Sequence, residues 1–223
     1  MRRPRTLESL VEEHVQRWAV EQRAGTARRA PCIALSRLPG AGGVELGQAV
    51  ADALDYTFFG IEIVDQIAQE GNVERQLVAD LDEHVRSALE RYVLDALRPF
   101  NENHYLKQVV RTVTTLAERG GAVFLGRGAT FILPPERCLR VLVVAPVEQR
   151  LERIAKADDL RPKHALERLS YQEEMRRAFY KHHFHADPDH PAGYDLVVNT
   201  GTLGLDNAVD VVVEAFRRKD VAP

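Results

Sequence analysis

"SRLPGAGGVELG", residues 36–47, is the stretch on which the reading of this chain turns. Gly40, Gly42 and Gly43 stand between an apolar run, Cys32-Ile33-Ala34-Leu35, and a stretch with helical spacing. A strand, a glycine-rich turn and a helix in that order form the setting in which such a loop cradles phosphate. The common form of that loop reads G-x-x-x-x-G-K-[ST], and its lysine reaches the outer phosphates. Here Gly43 stands at the lysine position, Val44 at the hydroxyl position, and Arg37 replaces the first glycine. Three readings are open: a nucleotide site that works without its lysine, a site that has lost its chemistry, or a glycine-rich turn made for packing.

Outward from the loop, the chain alternates strand and helix signals. The apolar run gives a strand over 32–36, and the spacing predicts a helix over 43–54. "YTFFG" (56–60) reads as a short extended piece. Residues 62–119 read as mostly helical, with breaks near Gly71-Asn72 and Pro99-Phe100-Asn101. Strands follow at 122–126 and 139–145, a helix starts at Pro146, and another runs over 163–184. "YDLVVNT" (194–200) reads as a buried edge or terminal strand, and a closing helix spans 206–218. Strands separated by helices imply an α/β fold with a mainly parallel sheet covered on both faces, a three-layer α/β/α sandwich.

Upstream, residues 7–23 carry Leu7, Leu10, Val11, His14, Val15, Trp18 and Ala19 at helical spacing. This amphipathic helix is expected to pack on the body of the domain or on a partner, with Trp18 as anchor. The chain thus divides into an N-terminal helix and linker (1–29) and one domain (30–223). A homodimer through the N-terminal helix or the 62–119 helices is open.

Composition narrows the function classes. Of the 223 residues, 45% are hydrophobic and 28% charged, which suits a globular protein with a real core. A formal net charge of −3 argues against a dedicated nucleic-acid binder, which usually shows a strongly basic face. No apolar run approaches the roughly 18 residues of a membrane span. Arg2, Arg3 and Arg5 are followed by no apolar signal core, and Cys32 and Cys138 read as buried reduced thiols. The expectation is a cytoplasmic protein with neither membrane nor nucleic-acid partners.

"ALSRLPGAGGVELGQAVADAL", "VFLGRGATFILPP", "LRVLVVAPVEQRLERI" and "RRAFYKHHF…YDLVVNT" occur in that order between about Pro31 and Phe216. Together they resemble the cytidylate kinase-like family, a divergent branch of the nucleoside monophosphate kinases. The resemblance implies a P-loop kinase fold: five parallel strands, a helical insert that binds substrate, and a small mobile lid. It implies ATP and Mg2+ as cofactors and a nucleotide as substrate. The reaction it implies moves the γ-phosphoryl group of ATP onto a nucleoside monophosphate, cytidylate-like, or onto a related small molecule. The alternative is a catalytically weak nucleotide-binding regulatory protein with a degenerate P-loop.

Phosphoryl transfer needs positive charge around the moving group and exclusion of water. By the resemblance, Arg37, Gly40, Ala41, Gly42, Gly43, Val44 and Glu45 form the phosphate loop, with Arg37 a candidate for the charge the missing lysine would give, as a wider fork and not a point charge. Arg127 of "GRGA" matches the arginine of the family's "GRD" that meets the acceptor, while the aspartate of that motif is Gly128 here. Arg150 and Arg153 fall where the lid begins, and Arg176 and Arg177 in "EEMRRAFY" resemble the segment carrying arginines toward the phosphates, with Glu174 in place. Arg127, Arg150 and Arg177 are the catalytic candidates; Arg127, Asp65 and Arg176 are the substrate-binding ones. Asp65, in "IEIVDQIA", is another carboxylate near the implied acceptor site; the family often has an aspartate five residues earlier, and Gly60 in its place weakens the substrate side. Each arginine also has a plain reading as a solvated or paired helix charge. Glu45 suits either the helix dipole or magnesium held through water. Asn199 and Thr200 suit either a strand-end turn or contact with the nucleotide. "KHHFHADPDH" (181–190) is rich in possible ligands, but its spacing does not build a metal site, and none is expected.

Overall fold

The computed structural model describes residues 10–17, 31–69 and 104–219. Helix α1 covers 10–17. It is followed by β1 (Cys32–Arg37), α2 (Gly43–Leu54), β2 (Thr57–Phe59), α3 (Ile61–Gln69) and α4 (His104–Glu118). Next come β3 (Ala122–Leu125), α5 (Ala129–Ile132), β4 (Cys138–Val144), α6 (Val147–Ala157) and α7 (Pro162–Phe184). The chain closes with β5 (Leu196–Asn199), α8 (Thr200–Leu203) and α9 (Leu205–Arg218).

The five strands form one parallel sheet in the order β2-β3-β1-β4-β5. β1 sits at the centre, where neighbours on both sides and helices on both faces bury it; this is why its sequence is nearly all apolar. The two-residue period of a strand sorts the core. Cys32 and Ala34 of β1, with Ala122 and Phe124 of β3, face a cluster shared with α3, α4 and α7. Ile33 and Leu35, with Val123, Leu125, Val141 and Val143, face a second cluster shared with α2 and α9. This is the P-loop kinase-like α/β/α sandwich, with α3 and α4 belonging to the helical insert. α6 and α7 form a hairpin held by its own small cluster of Ile154, Ala165 and Leu169, in the place of the lid.

Several expectations shift. β5 is shorter than 194–200 and is not fully buried: it is an edge strand with one neighbour, and Val197 is 44% exposed. The last residue expected in it, Thr200, instead begins α8, capped by Asn199 Oδ1, which accepts from Gly201 N at 3.0 Å and Thr202 N at 3.3 Å. The breaks expected near 71–72 and 99–101 lie outside the described residues, as does Trp18. Cys32 and Cys138 are register partners on β1 and β4, and burial pushes both thiols up to about 12. Among the described residues, no helix is long and apolar enough to cross a membrane.

α1 packs in cis. Leu10, Val11 and His14 are buried, and Val11 joins the core cluster that includes α4. His14 Nε2 lies 3.2 Å from the Leu116 carbonyl and Nδ1 lies 3.3 Å from the Thr57 hydroxyl. A carbonyl only accepts, so Nε2 carries the proton and Nδ1 accepts from Thr57. Burial lowers the His14 pKa to about 4, with Arg119 and Arg17 adding to the effect against the Leu116 hydrogen bond. Because the unfolded imidazole takes up its proton first, this contribution is full above the unfolded value and is lost as pH falls toward about 4. Acidification from about pH 7 to about pH 5 should therefore cost wild type about 2 kcal/mol that a His14→Gln protein does not lose. Urea titrations of the two proteins at both pH values measure the difference.

Candidate functional site

At the end of β1 the chain turns through residues 38–42 into α2. Gly40 and Gly42 take left-handed φ values of 74° and 75°. A side chain at 40 would also put its Cβ 2.6 Å from the Arg150 carbonyl oxygen, so the first turn of α6 presses against the loop. The loop's carbonyls are tied down in succession. Arg150 Nη1 donates to Pro39 O (3.4 Å), Arg153 Nη1 to Gly40 O (3.3 Å), and the Thr200 hydroxyl to Ala41 O (2.7 Å). In a planar trans peptide the N–H points opposite the C=O. The amides of Gly40 and Gly42 therefore face away from Arg150 and Thr200 respectively. The first amides of α2, at Gly43, Val44 and Glu45, have no intrahelical acceptor. These amides and the positive end of the helix dipole make a cradle for an anion.

A cavity of about 470 Å³ opens over this loop, and Arg37, Arg127, Arg153 and Arg176 all line it. The Arg37 side chain makes no hydrogen bond or ion pair with any described residue. Burial lowers its pKa and the neighbouring Arg176 and Arg127 add to this, against the opposing pull of Tyr180 and the Glu62 carboxylate. Arg153 bridges Gly40 O and the Thr200 hydroxyl (3.2 Å) and has no carboxylate partner among the described residues. Arg176 is buried, donating to Asp189 Oδ1 (2.5 Å), Ser36 Oγ (2.9 Å) and Pro188 O (3.0 Å), while its Nε is buried without a partner. Arg127 holds a left-handed φ of 48°, uncommon for a residue with a side chain. Its guanidinium grips both oxygens of Asp65, Nε at 2.6 Å from Oδ1 and Nη2 on Oδ2, and lies 5.4 Å from the centre of the Phe179 ring.

The other expected residues fall around this cavity. Arg150 stands behind the loop rather than in the cavity lining, donating to Ala145 O (3.1 Å) and to Glu173 Oε1 (2.6 Å). Its neighbour one turn on, Arg153, takes the inward position. Arg177 is exposed, paired with Asp189 Oδ2 at 2.9 Å, and does not line the cavity. Burial alone would raise the Asp189 carboxyl; the hydrogen bonds from Arg176 and Arg177 hold it below the usual carboxylate range. Asp65 meets Arg127 from α3. Tyr105 of α4, which the spacing did not single out, donates to its Oδ1 at 2.8 Å. Gly128, in the place of an aspartate, has a left-handed φ of 75°, and a Cβ there would sit 2.1 Å from the Phe184 ring.

The residues of 181–190 go separate ways. His183 is buried beside Phe179 and Tyr105, Asp189 takes the two arginines, and His190 Nδ1 accepts from Ala192 N at 3.3 Å. Among the described residues, no three of His, Cys, Asp and Glu gather to hold a metal. A polyphosphate fits the cavity, since it would meet the loop amides and unpaired cationic groups. For magnesium, Val44 is 54% exposed and its side chain offers no oxygen; of the two carboxylates that line the cavity, Asp158 pairs with Arg168 at 3.4 Å, and Glu45 stands in the first turn of α2 beside the loop. One or two carboxylates with substrate phosphates and water suffice for this ion.

The comparisons agree with this architecture. Residues 32–202, from the first residue of β1 into α8, match the model of the cytidylate kinase-like family. The cytidylate kinase of Methanopyrus kandleri is 25% identical over 195 residues, covering 82% of this chain and 92% of that protein. A uronate isomerase of Corynebacterium glutamicum is 31% identical over 114 residues, which is 51% of this chain but only 22% of that protein's length. The crystal structure of an uncharacterized protein from Eubacterium ventriosum superposes with a TM-score of 0.68 at 17% identity, covering 85% of this chain and 99% of that one, a likeness of fold. With its sheet order and its family match over most of the length, the chain belongs to the cytidylate kinase-like family.

Proposed function

We propose that this protein moves the γ-phosphoryl group of ATP onto a nucleoside monophosphate, cytidylate-like, or onto a related small molecule. The observation that carries this reading is the convergence of Arg37, Arg127, Arg153 and Arg176 on a loop whose carbonyls are tied away and whose amides are left for an anion. Transfer of this kind is positioning and charge stabilisation more than covalent chemistry. Magnesium, when bound, neutralises the donor phosphates and would be held on the protein side by Glu45. The loop amides orient the donor, and Arg153 bridges the loop to the end of β5 through Thr200. Arg127, held by Asp65 and backed by Phe179, presents its remaining edge to the acceptor. The α6–α7 hairpin closes over the cavity and excludes water.

A second reading is a nucleotide-binding regulator with little turnover. Two observations favour it: Arg127 is already neutralised by a bidentate carboxylate, and Val44 replaces the hydroxyl that usually holds magnesium. The two readings part on product formation.

A chromatographic assay with ATP, magnesium and each nucleoside monophosphate should show a diphosphate product for at least one acceptor. Arg153→Ala, which orphans no carboxylate among the described residues, should keep its melting temperature and lose transfer by about a hundredfold or more. Absence of any product from wild type would favour the regulator. Restoring the family motif by Gly128→Asp should fail to create a cytidylate preference. The new side chain meets the Phe184 ring in a strained backbone, and the expected result is a lower melting temperature with reduced transfer to every acceptor. A well-folded variant with a selective gain for CMP would contradict this account of Gly128.

A further inference from the structure

Residue 43 stands where a phosphate loop ordinarily carries its lysine, yet nothing in the backbone demands glycine there. Unlike Gly40 and Gly42, Gly43 is not among the residues with positive φ. What excludes a side chain is Arg37. A Cβ built on Gly43 would lie 2.8 Å from both Cβ and Cγ of Arg37 and 3.4 Å from its Cδ. The arginine stem thus fills the space in which a lysine at 43 would begin. Its head reaches across the floor of the cavity, with Nη1 3.5 Å from where a Cβ on Gly126 would sit, just past the end of β3. Arg37 therefore runs from the donor loop toward the strand end that carries Arg127. Among the described residues no carboxylate forms an ion pair with it; Glu62 acts on it only from a distance.

We propose that Arg37 is the cation for the outer phosphates of the bound nucleotide, and that it and a lysine at position 43 are mutually exclusive occupants of one space. The inference rests on reading the cavity as a nucleotide site. It explains two departures from the usual loop as one change: once the cation rises from the last residue of β1, position 43 must be empty of side chain. An arginine differs from the lysine it replaces, since its planar fork can donate to two phosphate oxygens together.

The test is calorimetric binding of ATP with magnesium, and of adenosine, to the full chain, with phosphoryl transfer followed separately. Arg37→Met keeps the stem against Gly43 and removes only the charge. It should weaken ATP about tenfold or more and leave adenosine, which has no phosphate, within about twofold. Gly43→Lys alone should also weaken ATP, because two stems collide. Arg37→Gly clears the space, and Arg37→Gly/Gly43→Lys should regain at least about tenfold in ATP affinity over Arg37→Gly. Melting temperatures show that each variant is folded; Arg37→Met, which disturbs packing least, decides the charge question if the glycine variants do not fold. Unchanged ATP binding by Arg37→Met, a double variant no better than Arg37→Gly, or tighter binding by Gly43→Lys would each overturn the inference. ATP binding that follows the expected pattern without any transfer overturns the kinase reading and leaves the role of Arg37 standing. Transfer by wild type with ATP binding indifferent to Arg37→Met does the reverse, and a wild type that binds no ATP overturns both.

Discussion

The site depends on which way three consecutive peptide groups face. Pro39, Gly40 and Ala41 each give their carbonyl to a separate donor: Arg150, Arg153 and Thr200. Were those carbonyls to turn into the cavity, they would repel a phosphate; held as they are, the loop offers the amides of Gly40 and Gly42, while that of Ala41 donates back to Leu38 O at 3.1 Å. Two of the three donors lie one turn apart on α6, and the third begins α8 after the edge strand. The cradle is thus assembled by elements far apart in sequence, from residue 39 to residue 200. It also ties the lid hairpin to the loop, since any swing of α6 carries the donors to Pro39 and Gly40 with it.

A second constraint is electrostatic. Several arginines gathered around one cavity repel each other unless anions intervene. Asp65 serves Arg127, Glu173 serves Arg150, and Asp189 serves both Arg176 and Arg177. Arg37 and Arg153 have no such partner among the described residues and both line the cavity. The protein has neutralised the arginines at the rim and behind the loop while leaving charge on the floor, where a polyphosphate would complete the balance. This distribution distinguishes a ligand site from a set of surface ion pairs, which are worth little individually.

Much of the fold was legible because strand periodicity and burial coincide: β1 opens on an unbroken apolar run, 32–35, because both of its faces are covered. The edge or terminal place of β5 was legible, but its burial was overread because Val197 and Val198 look alike in sequence, and one is 44% exposed while the other is buried. The loop glycines were legible through their place between strand and helix. The roles of the helix arginines were not. Arg150 and Arg153 differ by three positions on one helix, and which of them faces the cavity follows from how α6 abuts Gly40. Tyr105 meets Asp65 from forty residues away, a contact that no local pattern announces. Gly128 was visible as a departure from the family motif, but the Phe184 ring that forbids a side chain there was not.

The central claim is that the backbone amides of Gly42, Gly43 and Val44 hold phosphate, and amide chemical shifts report on it directly. In ¹⁵N-labelled protein titrated with ATP and magnesium, the amide protons of Gly42, Gly43 and Val44 should move downfield together as they take up phosphate oxygens, with the side-chain signals of Arg37 and Arg153 shifting at the same ligand concentration. Saturable ATP binding that leaves those three amides unmoved would show that the nucleotide sits elsewhere, and the loop would then be a turn shaped by packing alone.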